Sequence, residues 1–161
     1  MVKMDEAILS KIILLSVERD ALANLIFEQT FQKKTAGKFR ELSKNQPIVI
    51  KIMGIEGEIM PSTLGKYTGM DKSSLTRMVD DLEKKGIVFR KTDTNDRRKV
   101  LVSLTEKGLD YYNDLSQITT EISEELLQFV DDEDIESYME SLETMVRILG
   151  KIEASRAAGL R

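Results

Sequence analysis

Apolar positions recur at helical spacing at both ends of this 161-residue chain and alternate only in a short middle stretch. Ile8, Ile12, Leu15, Leu22, Ile26 and Gln29 follow a four–three spacing broken at Arg19, which predicts one long helix from Asp5 to Gln32. A shorter helix is expected from Lys44 to Met53. Ser43 is its N-cap and Gln46 can complete a capping box, while Gly54 and Gly57 end it. Toward the other end, Leu115, Ile118, Ile122, Leu126 and Phe129 form one stripe after a Thr105 N-cap. Ile135, Met139, Leu142, Met145, Leu149 and Ile152 form a second, behind the acidic run Asp131 to Asp134 that suits a helix N-terminus.

Between these lies the segment from Pro61 to Gly108. Pro61 suits a first helical position, Leu64 points inward, and Gly65 is small where two helices cross. Gly69 provides a turn, and Asp71 caps the next helix, whose buried stripe is Leu75, Met78, Val79 and Leu82. Lys84 and Lys85 suit that helix's negative end, and Gly86 closes it. Two short strands follow, Ile87 to Lys91 and Lys99 to Leu104. In the second, Val100, Val102 and Leu104 alternate with Leu101 and Ser103. Two helices around a Gly turn followed by a hairpin form the layout of a winged helix-turn-helix, which lays one helix in the DNA major groove and brings the hairpin beside it. The fold class expected is mainly α with a small β-hairpin wing (α+β). A winged helix-turn-helix DNA-binding lobe spans 43–108 and a helical dimerisation lobe spans 1–42 and 109–161.

Composition narrows the chemistry. The chain has no Cys and no His, which removes disulfides, thiol redox sensing, Cys or His zinc sites and His-based acid–base catalysis. Only a carboxylate site for a hard cation stays open; no metal site and no cofactor is expected. No apolar run approaches a membrane span, and no signal-peptide cleavage pattern is seen, so the expected location is cytoplasmic.

The net charge of −4 argues against a nucleic-acid partner until its distribution is considered. From Lys66 to Lys99 there are 10 Lys/Arg against 6 Asp/Glu, whereas from Leu109 to Gly150 there is 1 Arg against 12 Asp/Glu. The positive stretch is the one with the helix-turn-helix pattern. On its second helix Lys72, Ser73, Ser74, Thr76 and Arg77 should face outward toward base edges and phosphates, with Lys66 and Tyr67 of the preceding helix near the backbone. At the wing tip Arg97, Arg98 and Lys99 are basic, and Arg98 is the leading candidate for minor-groove insertion. Asp96 is expected to orient a neighbouring arginine, Arg98 or Arg77. The end helices carry more apolar surface than one small winged domain can cover. A symmetric homodimer is therefore inferred, with Ile8, Ile12, Leu15, Leu142, Met145, Leu149 and Ile152 at its interface.

The stretch LGKYTGMDKSSLTRMVDDLEKKGIV, the Asp96-x-Arg98 wing motif and LTEKG after the second strand together resemble the MarR family of winged-helix transcriptional regulators. The close match covers about 48 residues of this chain. The resemblance implies an obligate homodimer built from the terminal helices, acting on pseudo-palindromic double-stranded DNA. It implies that Arg98 enters the minor groove, that Asp96 holds an arginine, and that Ser73, Ser74, Thr76 and Arg77 meet the major groove. It further implies regulation by oxidation, by zinc or by a small anionic or phenolic ligand. The missing Cys and His leave an organic effector or none, with repression following if a bound dimer occludes a promoter. The effector-binding residues stay unknown: Arg19, Phe31 and Arg40 are conceivable, though a structural role suits each. Two other readings of the segment are a protein–protein interaction module and a weakly selective architectural DNA binder. An enzyme would have to rely on groups such as the clustered Asp80, Asp81 and Glu83, which a solvated helix face explains.

Overall fold

The computed structural model describes residues 5–35, 37, 39–43 and 45–159. Asp5 caps the first helix, its side chain accepting the Ala7 amide at 3.2 Å. The expected long helix runs as α1 (Glu6–Ala23), a π-helical stretch (Asn24–Glu28) and α2 (Gln29–Lys34). Along α1 the apolar residues are not confined to one stripe, since Leu9, Ile13, Leu14 and Val17 are exposed together with Ile8, Ile12 and Leu15.

The next helix, α3 (Gln46–Glu56), starts later than the capping pattern implies. Its cap is Asn45, not Ser43, and Lys44 lies outside the described residues. Half of the capping box survives: the Gln46 side chain reaches back to accept the Ser43 amide at 3.0 Å. Gly54 does not end α3; the helix passes it and stops before Gly57, whose φ is 74°. Gly54 is instead where the helix backbone approaches the Tyr112 ring, in space a Cβ would occupy.

α4 (Pro61–Thr68) and α5 (Lys72–Lys84) flank Gly69, which takes the left-handed conformation at φ 65°. β1 (Val88–Thr92) and β2 (Val100–Leu104) form an antiparallel hairpin, with Val88 opposite Leu104 and Thr92 opposite Val100. Each strand begins one residue later than its pattern suggested. Ile59 adds an isolated bridge to Val102, with reciprocal amide bonds of 3.1 and 2.9 Å. Then come α6 (Glu106–Leu127) and α7 (Asp132–Ala157), capped by Asp131. Thr105 caps α6 as expected: its hydroxyl accepts the Gly108 amide at 3.1 Å and donates to the Gly86 carbonyl at 2.6 Å.

The core brings together Val49, Ile50 and Met53 of α3, Leu64 of α4, and Leu75, Val79 and Leu82 of α5. Ile59, Ile87, Val88 and Val102 close it from the hairpin side, and Leu115, Ile118 and Ile122 line α6. Met78 and Leu126 are only half-buried. Phe129, assigned to the α6 stripe, falls beyond the helix end and is 78% exposed. The chain divides into two compact units, one through Ile122 and one from Ser123 onward. In the second unit, Met139, Leu149 and Ile152 of α7 are exposed. Among the described residues no helix is long and apolar enough to cross a membrane.

Gly108 sits where the start of α6 presses against the backbone after α5: an added Cβ would collide with the Ile87 carbonyl oxygen. Because the obstacle is backbone, relief requires moving a whole element. Gly108→Ala should therefore cost about 2 kcal/mol or more, as overpacking does. Urea denaturation checks this, and an unchanged midpoint would show that α6 can shift freely.

Candidate nucleic-acid interface

Burying Leu75, Val79 and Leu82 of α5 fixes which of its residues face solvent. Lys72, Ser73, Thr76 and Arg77 line one open surface depression, with half-exposed Ser74 beside it. The N-cap organises this face. Asp71 accepts the amides of Ser73 and Ser74 at 2.9 and 3.0 Å, and both serine hydroxyls at 2.6 Å. The Ser73 hydroxyl, then the Ser74 hydroxyl and amide, hold the Asp71 carboxyl far below the usual carboxylate range. Thr76 donates its hydroxyl to the Lys72 carbonyl at 2.8 Å, and Arg77 reaches the Ser74 hydroxyl at 3.5 Å. On α4, Lys66 is exposed, while Tyr67 donates to Glu56 at 2.7 Å, a bond that raises the phenol pKa.

The wing tip is an ordered turn. Asp93 accepts the amides of Asn95 and Asp96, both at 2.8 Å, and these bonds lower its carboxyl pKa. Asp96 then accepts from Arg98 Nε at 3.2 Å and lies 3.9 Å from Lys99 Nζ. Of the two arginines considered for Asp96, the structure pairs it with Arg98. The Arg98 side chain is nonetheless 92% exposed, and Arg97 and Lys99 are exposed beside it.

Sequence reasoning missed what fastens the wing. Arg90 of β1 bonds Asp80 at 2.6 Å and also pairs with Glu83, both on α5. Lys91 pairs with Glu58. The third acid of the cluster, Asp81, accepts from Lys85 at 2.7 Å and from Gln46 Nε2 at 2.6 Å. Gln46 itself is buried and takes a further bond from Lys85 at 3.0 Å. These acids thus join α5 to the wing and to α3. The signal was their spacing: Asp80 and Glu83 are one helical turn apart and share a face.

A separate hollow is lined by Phe27, Glu28, Phe31, Pro47, Ile48, Lys51 and Thr119. Phe27 and Phe31 stack with centroids 6.1 Å apart. Burial lowers the Lys51 ammonium pKa, and its Nζ donates to the Thr119 hydroxyl at 2.9 Å. Phe31 and Pro47 also border an adjoining groove that includes Arg40. Arg19 does not line either hollow; it pairs with Asp20 at 2.7 Å.

Residues 42–100, spanning α3 through the start of β2, match the model of the MarR family. That segment of the chain is a MarR-type region. It is 35% identical over 85 residues to the HTH-type transcriptional regulator SarZ of Staphylococcus saprophyticus, covering 53% of this chain and 58% of that protein. The chain spans about three fifths of the length of the curated relatives it matches. Among solved structures, the transcriptional regulator BldR of Sulfolobus solfataricus superimposes with TM-score 0.67 at 27% identity, over 89% of this chain and 99% of that one. A mutant MarR from E. coli, complexed with operator DNA, shares the fold with TM-score 0.68 at 24% identity, over 88% and 99% of the two chains. The MarR-type region therefore contains both the α5 face and the Arg90 clamp.

The Asp81 contacts give this MarR-family lobe a pH dependence. Lys85, then Gln46, lower the carboxyl pKa in the folded chain, so the charged form is favoured more folded than unfolded. The stabilisation is present above the ordinary aspartate value and is lost as pH falls through it toward the folded value. Asp81→Asn should lower stability at neutral pH and flatten the decline between about pH 5 and pH 2. Urea midpoints across that range are the readout, and parallel curves for both proteins would remove Asp81 from the account.

Proposed function

We propose that this protein is a homodimeric, sequence-specific DNA-binding transcriptional regulator, a repressor released by a small organic effector. The observation that carries the reading is one surface chemistry. The outward face of α5 presents Lys72, Ser73, Thr76 and Arg77, and the wing tip presents Arg97, Arg98 and Lys99. A helix with its first turn exposed suits the major groove, and an extended basic tip suits a phosphate-lined minor groove. The named relative, an HTH-type transcriptional regulator, and the operator-bound fold neighbour support the DNA-binding regulator part of it.

The dimer rests on α1 and α7. A helix apolar on several sides needs covering on several sides, and α1 leaves Ile8, Ile12 and Leu15 uncovered while α7 leaves Leu149 and Ile152 uncovered. A second copy supplies the missing surface, with Leu142 and Met145, half-buried on α7, at the same contact. In this reading the helical regions 1–42 and 109–161 dimerise and 43–108 binds DNA. The two recognition helices then meet half-sites about 34 Å apart. The effector occupies the hollow of Phe27, Phe31 and Lys51, where the aromatic pair receives a ring and Lys51 an anionic group.

Fluorescence anisotropy with the gene's own upstream DNA and a scrambled control, across a salt series, tests the reading. Specific binding should be at least ~10³-fold tighter than the control, with a steep negative salt slope. Arg98→Ala should weaken binding and make the slope shallower by about 1 per half-site while sedimentation still gives a dimer. Equal, salt-sensitive binding to both DNAs favours an architectural role, and no binding at low salt favours a protein-interaction module.

Release by an effector requires differential affinity for the free and DNA-bound states. Calorimetry with benzoate as the probe should give weaker binding to the DNA complex than to the free dimer, and Lys51→Met should abolish both. Equal benzoate affinity in the two states would sink the coupling.

A further inference from the structure

The hydroxyls on the α5 face have already spent their protons. A carboxylate offers only lone pairs. The 2.6 Å contacts from Ser73 and Ser74 to Asp71 therefore run from hydroxyl to carboxylate. Thr76 donates to the Lys72 carbonyl in the same way. What each oxygen turns outward is lone pairs alone. The Ser74 oxygen is partly engaged by Arg77, whereas Ser73 is exposed and shares its depression with Lys72, Thr76 and Arg77. Hydrogen bonds to an ionised carboxylate are about twice as strong as neutral ones, so Ser73 does not readily give up Asp71 for a neutral base acceptor such as guanine O6 or thymine O4.

In the major groove, adenine N6 and cytosine N4 donate, while guanine presents O6 and N7 and thymine presents O4 as acceptors. We infer that Asp71 makes Ser73 an acceptor-only reader that selects adenine or cytosine over guanine or thymine on the strand it faces, at one position of each half-site. Asp71 is then a positioning residue: it touches no base but sets the polarity of one that does. The donors on this face are the cations Lys72 and Arg77, which suit guanine edges and phosphates. The face thus sets acceptor oxygens between two cationic donors along one helix. This rests on the DNA-binding reading above and specifies which bases that surface prefers.

Selection from a randomised duplex pool by the full-length protein, with sequencing of the bound fraction, provides the test. The wild type should prefer adenine or cytosine by about tenfold at one symmetry-related position. Ser73→Ala, which deletes the acceptor, should flatten that position and leave the others. Asp71→Asn keeps a good N-cap but offers one acceptor oxygen and a donor amide in place of the carboxylate. It should reduce the preference at the same position at least about threefold, since a freed hydroxyl proton can then serve guanine or thymine. Selective binding whose base preferences are unchanged in both variants would overturn the inference and leave the regulator reading intact. Failure of the wild type to enrich any sequence would overturn both.

Discussion

Everything that gives this chain a directed surface depends on one buried stripe, Leu75, Val79 and Leu82, on the helix that packs against α4 and β1. Each such side chain contributes about 1.5–3 kcal/mol on burial, enough together to fix the rotation of α5 about its own axis. Once those three residues point in, helical geometry leaves Lys72, Ser73, Thr76 and Arg77 pointing out. The polar face is thus the geometric complement of the core, and no separate interaction is needed to hold it exposed. Gly69 serves the same end, because its left-handed backbone lets α4 stop and α5 begin within three residues of turn.

The wing is held differently. A two-stranded hairpin is marginal alone, and only its Val88 and Val102 are fully in the core. Position along α5 is fixed by charge: Arg90 straddles Asp80 and Glu83, and Lys91 meets Glu58 on the other side. These pairs are partly exposed, so their energetic worth is small. Their geometry still matters, since a guanidinium that engages two carboxylates one helical turn apart admits few orientations. The tip beyond, pinned by Asp93, carries Arg98 out into solvent at a set distance from α5.

Most of the winged layout was legible because local chemistry and burial agree there. Pro61, Gly69, Asp71, Gly86 and Thr105 each punctuate an element for a local reason, and each does so in the structure. The failures come where a distant contact overrides the local signal. Gly54 looked like a stop but is a gap for the Tyr112 ring, 58 residues away in the chain. Phe129 kept helical spacing, yet the chain had left the helix by then. The acids of α5 looked like a solvated face because their partners, Arg90 and Gln46, lie on other elements. For the candidate site, the outward residues could be read from spacing alone. The direction of their hydrogen bonds could not, since it depends on where the Asp71 carboxylate turns.

That direction bears on how a chain of net charge −4 can present a surface suited to DNA. A carboxylate at the start of a recognition helix would repel the phosphates it approaches. Asp71 avoids much of this by surrounding its charge with two hydroxyls and two amides, at the positive end of the α5 dipole. Asp96 does so with Arg98 and Lys99, and Asp80 and Glu83 with Arg90. Asp80, Asp81, Glu83 and Asp96 are thus each paired with a cation and Asp71 is held by neutral donors, while the stretch from Lys66 to Lys99 keeps its excess of 10 Lys/Arg over 6 Asp/Glu. The excess of negative charge in the sequence lies instead beyond Leu109, in α6 and α7, with 1 Arg against 12 Asp/Glu as far as Gly150. Total charge is therefore a poor guide to this protein, because a charge paired with a neighbouring opposite charge exerts little field outside.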